Sequence, residues 1–135
     1  MLIPAIIFLI FLASLPFWLK KNTQGQTVDY SPKVNFADSN TISPSDLVIK
    51  ITDNGFVPDK LSLKKGQKIY FLNSSGKDAW PASDPHPIHN NYPELDPKEP
   101  LRQNKAWAFQ FEKIGTWGVH DHLWPSHRAI LTVTE

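Results

Sequence analysis

The chain has 135 residues, 14 Lys and Arg against 13 Asp and Glu, and no cysteine. That length holds one domain of about ninety residues plus an appendage, and the interspersed charge, net +1, provides neither the basic stripe of a nucleic-acid binder nor an acidic tail. Without cysteine there is no disulfide framework, zinc knuckle, thiolate nucleophile or thiolate-ligated metal centre.

Residues 2–19 are an unbroken, uncharged apolar run. As a helix it spans about 27 Å, close to a bilayer core of about 30 Å, so residues 1–21 read as a signal peptide or membrane anchor. Pro16, Phe17 and Trp18 resemble an interfacial boundary more than a cleavage region, which favours a retained anchor over a secreted product. Lys20 and Lys21 weakly oppose export under the positive-inside rule, yet export, with the rest of the chain on the periplasmic or extracellular side, is the preferred reading. Residues 22–44 are rich in Asn, Thr, Ser, Gln and Asp, show no periodicity, and read as a flexible linker.

From Leu47 the pattern alternates: Leu47, Ile49 and Ile51 share one face, Val48, Lys50 and Thr52 the other, as in a strand with one buried side. Asp53-Asn54-Gly55 is a turn, residues 60–63 a short strand, Lys65-Gly66 a second turn, and residues 67–73 a strand ending at Ser74-Ser75-Gly76. Trp107, Phe109 and Phe111 alternate with smaller or polar residues, and residues 115–121 and 129–134 supply two closing strands. Helical periodicity is absent from this part of the chain. Short strands at this spacing predict an all-β sandwich over residues 45–135. The interval 78–103 breaks the rhythm with Pro81, Pro85, Pro87, Pro93, Pro97 and Pro100; it cannot form a central strand, and so long a loop in a compact domain points to function.

Gly55-Phe56-Val57-Pro58-Asp59-Lys60-Leu61-Ser62-Leu63-Lys64-Lys65-Gly66, Gly115-Thr116-Trp117-Gly118-Val119-His120-Asp121 and Ala129-Ile130-Leu131-Thr132-Val133 resemble, in order, the opening, the ligand strand and the closing strand of the cupredoxin family. The resemblance implies a Greek-key β-sandwich, preceded here by the N-terminal transmembrane or signal helix. It also implies where a blue-copper centre would take its His, Cys, His and Met ligands: the matching positions carry Ala79, Asp121, Trp124 and His127. A carboxylate cannot supply the soft copper–thiolate bond, so a blue electron carrier is excluded. The cysteine-free arrangement resembles a branch of exported cupredoxin-like proteins.

All five histidines fall in two segments, His86 and His89 as H-P-I-H in the proline-rich loop, and His120, His122 and His127 around the last loop. Spacings of two on a strand and three in a turn aim paired imidazoles at one point. Strand alternation turns Val119 and Asp121 inward and His120 outward, so a site displaced from the family's copper pocket is expected. Its candidate ligands are His86, His89, His120 and His122, with His127 as a further candidate; Asp121 is a ligand, an orienting carboxylate, or a structural acceptor of backbone hydrogen bonds or partner of Arg128 or Lys77. Trp80, Trp107, Trp117 and Trp124 read as core and rim packing. Asn73-Ser74-Ser75 matches a glycosylation sequon. Ser126 beside His127 lacks a third partner, and Asp84, Glu94 and Asp96 have no spacing that separates acid from base.

The sequence thus supports a membrane-tethered domain that binds a metal ion, Cu(II) first and zinc second, in metal handling or sensing, with no nucleic-acid partner. A metal-free module presenting the proline-rich loop to an exported protein partner is one alternative. A non-blue copper redox enzyme subunit is another.

Overall fold

The structure, a computed structural model, describes residues 34–135; the apolar run read as a signal or anchor lies outside the described residues. The described part has nine strands: β1 (Ala37–Asp38), β2 (Leu47–Thr52), β3 (Gly55–Val57), β4 (Lys60–Lys64), β5 (Lys68–Asn73), β6 (Pro81–Ser83), β7 (Lys105–Gln110), β8 (Gly115–Asp121) and β9 (Arg128–Thr134). They form two sheets, one ordered β1-β7-β5-β2-β3 and the other β4-β9-β8-β6. Hairpins join β2 to β3 and β8 to β9. Between those hairpins every connection passes from one sheet to the other, which ties the two layers into one sandwich. β2 with β5 and β4 with β9 are parallel. The all-β reading therefore holds for the described residues.

Alternation explains the core. Ile49 and Ile51 of β2, Ile69 and Phe71 of β5, Val119 of β8, and Leu131 and Val133 of β9 are all buried, whereas Ile130, one step out of phase, is exposed. Phe71 stacks on Trp107 with ring centroids 5.8 Å apart, and Phe56 meets Phe71 edge-on at 6.4 Å, the offset and T-shaped geometries that the ring quadrupole favours.

The sequence differs from the structure in three places. The domain begins earlier than residue 45: Ala37 and Asp38 pair with Ala106 and Lys105, and Val34 and Phe36 pack against the core. Two apolar side chains in a polar stretch are too few to show a period, but they are enough to hold that stretch on the sheet. β6 has no strand signature in the sequence because Pro81 stands in it; Pro81 is tolerated because β6 is an edge strand paired only with β8. Finally, the sequon residue Asn73 is fully buried, its Nδ2 donating to the carbonyls of Lys77 and Leu101 at 2.7 and 2.8 Å and its Oδ1 accepting from Ser75. That amide is an internal clasp of the β5 end and is closed to glycan attachment in the folded domain.

The proline-rich interval is tied down rather than loose. Ala79 and Leu101 exchange two backbone hydrogen bonds at 3.0 and 2.7 Å, the Ser83 N–H donates to Leu95 O, and the Asn91 N–H to Asp84 O. Tyr92, Leu95 and Leu101 are buried, with Tyr92 against the rings of Phe109, Phe111 and Trp117. Folded back in this way, the loop meets the outer face of β8.

Candidate metal centre

The outer face of β8 carries Gly118 and His120, one pleat apart, opposite to Val119 and Asp121. The outward direction expected for His120 is found, but solvent exposure is not: His120 is 0% exposed, because Asp84, His86 and His89 of the loop close over it. His122 follows just beyond the strand. Its backbone N–H donates to Trp80 O at 2.7 Å and its ring lies against the Trp80 indole, centroids 4.8 Å apart.

Four imidazoles meet at this point. One ring nitrogen from each of His86, His89, His120 and His122 lies within 4.8 Å of all the others. His89 Nε2 is 2.9 Å from His122 Nδ1, and His86 Nδ1 is 3.3 Å from His120 Nε2. Nitrogens bound at 2.0–2.1 Å stand about 3.3 Å apart in a tetrahedral site. The two closest pairs are at or just below that spacing and the widest separation is 4.8 Å, so side-chain rotations would be needed to bring all four nitrogens onto one ion.

Two of the rings are oriented by carboxylates. His120 Nδ1 contacts Asp84 Oδ1 at 2.9 Å, and His89 Nδ1 contacts Asp96 Oδ2 at 2.7 Å. An ionised carboxylate only accepts, so the proton of each neutral ring sits on Nδ1 and the lone pair of Nε2 faces the cluster. With those two nitrogens as acceptors, His86 and His122 donate from Nδ1 to close the metal-free network, and each must move its proton to Nε2 to act as a ligand. Both have access to water for that exchange: His86 is exposed and His122 half-buried.

The carboxylates are themselves fixed. Asp84 Oδ2 accepts from Arg128 at 2.8 Å. Asp96 accepts from Trp80 Nε1 at 2.9 Å, from the Lys98 backbone N–H at 2.8 Å and from Lys98 Nζ at 2.7 Å. Burial pushes the Asp96 carboxyl up, but the hydrogen bonds from Lys98, His89 and Trp80 outweigh it and hold it far below the ordinary carboxylate range. His89 adopts a left-handed backbone conformation (φ 58°), a cost of about 1–3 kcal/mol for a residue with a Cβ. Hydrogen bonds from its N–H to Pro85 O and from Ser83 Oγ to its carbonyl hold it there.

Gly118 makes room for this arrangement. A Cβ built on it would lie 2.2 Å from Asp84 Oδ2 and 3.0 Å from Asp84 Cγ, so the mid-strand glycine marks the close approach of the carboxylate to the sheet.

Asp121 and His127 stand apart from the four. Asp121 is buried on the other face of β8, where Oδ1 accepts the backbone N–H groups of Trp80 and Leu123, both at 3.0 Å; Arg128, one of its suggested partners, bonds Asp84 instead. His127 lines a tight recess with Asp121, Trp124 and Lys77, and its Nδ1 is buried without a partner among the described residues. Trp124 is partly exposed, with Lys77 Nζ 4.0 Å above its ring. The orienting roles of Asp84 and Asp96 are not visible in the sequence, where acids in a loop look like solvated surface. The mid-strand glycine two residues before His120 is the one signal for Asp84.

Burial holds the His120 ring below the ordinary histidine range; the charges of His86 and His89 add to this, and the hydrogen bond and charge of Asp84 oppose it. His122 is lowered for the same first reason, again with help from His89 and His86. A lowered pKa keeps the ring neutral to lower pH. Metal uptake is therefore expected to be complete at pH 7.5, to persist to just below about 6.5, the ordinary histidine value, and to be lost at lower pH as protons compete. The metal-free protein follows the same sign: below about 6.5 the unfolded chain binds more protons than the folded one, so stability falls with pH in that window. Equilibrium dialysis and denaturant titrations across pH 5–8 check both.

No family profile and no curated protein matches the chain. Solved structures do. A reduced tryptophan-to-tyrosine mutant of amicyanin superimposes with a TM-score of 0.65 at 16% identity, covering 76% of this chain and 95% of that one. The Cu(I) form of a methionine-to-alanine mutant of amicyanin gives 0.60 at 15% with the same coverage, and amicyanin from Paracoccus versutus (Thiobacillus versutus) 0.61 at 14%, covering 74% and 92%. At this identity the likeness speaks for architecture, and the described domain has the cupredoxin fold.

Proposed function

We propose that the chain is a membrane-tethered, extracytoplasmic metal-binding protein whose cupredoxin-like domain takes a divalent ion, Cu(II) first and Zn(II) second, through His86, His89, His120 and His122, in metal handling or sensing. The observation that carries this reading is the convergence of four ring nitrogens, two of them backed by fixed carboxylates, the arrangement by which proteins orient metal-binding histidines. An all-nitrogen donor set suits copper and zinc alike; tetragonal geometry would favour the first and tetrahedral the second. The apolar run over residues 2–19 supports the tether and the compartment. With no thiolate, one-electron transfer of the blue-copper type is not among its activities.

The test is metal uptake by the purified full-length chain in detergent. One equivalent of Cu(II) at pH 7.5 is expected, with nitrogen ligation by electron paramagnetic resonance, and uptake is expected to vanish when the four histidines are replaced together. Metal at 100 times its Kd should stabilise the fold by about 2.7 kcal/mol, a rise of roughly 10–20 °C in Tm for a domain of this size. A melt unmoved by either metal would sink the reading and leave the metal-free interaction module.

A further inference from the structure

The four histidines are not equivalent, and the difference bears on what the site does with its metal. His89 and His120 are buried and each is held by a carboxylate; His122 is half-buried, held by its backbone bond to Trp80 and by the indole face. His86 is exposed. Among the described residues its only hydrogen bond is the ring contact with His120, one that a metal at His120 Nε2 would replace. Three nitrogens are thus set by carboxylates or by the Trp80 clasp, whereas the fourth has only the rings of His120 and His122 beside it. Sites that keep a position open exchange ligands, whereas sites with four fixed ligands are closed and structural.

Charge selects what enters. Asp84 is paired with Arg128 and Asp96 with Lys98, so the ring of oriented imidazoles sits in neutral surroundings. A divalent ion brings two positive charges there. A positive charge therefore remains on the side where His86 meets solvent, and an anionic donor gains from it what a neutral donor does not.

We propose that His86 is an exchangeable ligand and that the fourth coordination position, on the loop side of the site, accepts a small monodentate anion in its place. The exchange breaks the metal–His86 nitrogen bond and forms a metal–anion bond with no change of oxidation state; the released imidazole is left free at the solvent side of the site. This inference rests on the metal-binding reading of the same four residues.

The test compares Cu(II)-loaded full-length protein with its H86A and H89A variants, using azide as the anionic probe and imidazole as the neutral one, followed by electron paramagnetic resonance and the ligand-to-metal charge-transfer band. The H86A variant is expected to keep one copper with a Kd raised no more than about tenfold, whereas H89A, which removes an oriented ligand, loses at least about 100-fold. In H86A azide should saturate at a concentration at least about tenfold below that needed in the wild type, since His86 no longer competes, and imidazole should bind more weakly than azide. Loss of copper from H86A as complete as from H89A would overturn the proposal, as would equal azide affinity in H86A and wild type, or preference for imidazole. A wild-type chain that takes up no copper would instead overturn the underlying metal-binding reading, a result separate from all of these.

Discussion

Gly118→Ala is expected to weaken metal binding by about 10–100-fold, the range seen when a carboxylate behind a metal-bound histidine is removed, although residue 118 touches neither metal nor imidazole. A Cβ 2.2 Å from Asp84 Oδ2 cannot coexist with that carboxylate in place, and the oxygen it displaces belongs to the group that fixes the proton of His120 and bonds Arg128. Once Asp84 is pushed off the sheet, His120 loses the acceptor that holds its Nε2 lone pair toward the cluster. A competition assay against a chelator gives the Kd, and circular dichroism verifies that the variant is folded. The double variant G118A/D84A separates the mechanism from general damage to the strand. If the alanine acts through the carboxylate, the double variant binds no more weakly than D84A alone. Wild-type affinity in G118A, or additive losses in the double variant, would show that Asp84 does not orient His120.

The same glycine shows how far the sequence can be read. Strand alternation is enough to place Val119 and Asp121 on one face of β8 and His120 on the other, because a period of two survives any detail of packing. It cannot show that His120 is buried. That depends on the loop from Asp84 to Leu101 folding back over the sheet, driven by Tyr92, Leu95 and Leu101, three apolar residues scattered among prolines with no period to announce them. Nor can it separate Asp84 and Asp96 from surface acids, since what makes them part of the site is a contact across 36 residues in one case and a clasp by Trp80 and Lys98 in the other. The four clustered histidines are legible from composition, because all the histidines of the chain lie in two segments. Asp121 keeps open alternatives for a similar reason: an acid at the end of a strand has the same sequence signature whether it binds a metal or accepts backbone hydrogen bonds.

For Asp121 the structure makes the two alternatives separable by experiment. Its Oδ1 accepts two backbone N–H groups, from Trp80 at the entry to β6 and from Leu123 in the turn before β9, and so pins together the two segments that carry the site. Asp121→Ala leaves both donors without that acceptor, one of them on the partly buried Trp80, which costs about 1–3 kcal/mol and about 4–8 °C of Tm per kcal/mol. Asp121→Asn retains an oxygen in the same place and is expected to restore most of that loss. Copper stoichiometry and the nitrogen pattern in the electron paramagnetic resonance spectrum should be unchanged in both variants below their melting points, because Asp121 lies on the opposite face of β8 from His120. A destabilised protein with an unaltered copper spectrum identifies Asp121 as a structural clasp. A copper spectrum altered in both variants, with stability preserved, would instead make the carboxylate a ligand and move the centre back toward the recess lined by Asp121, Trp124 and His127.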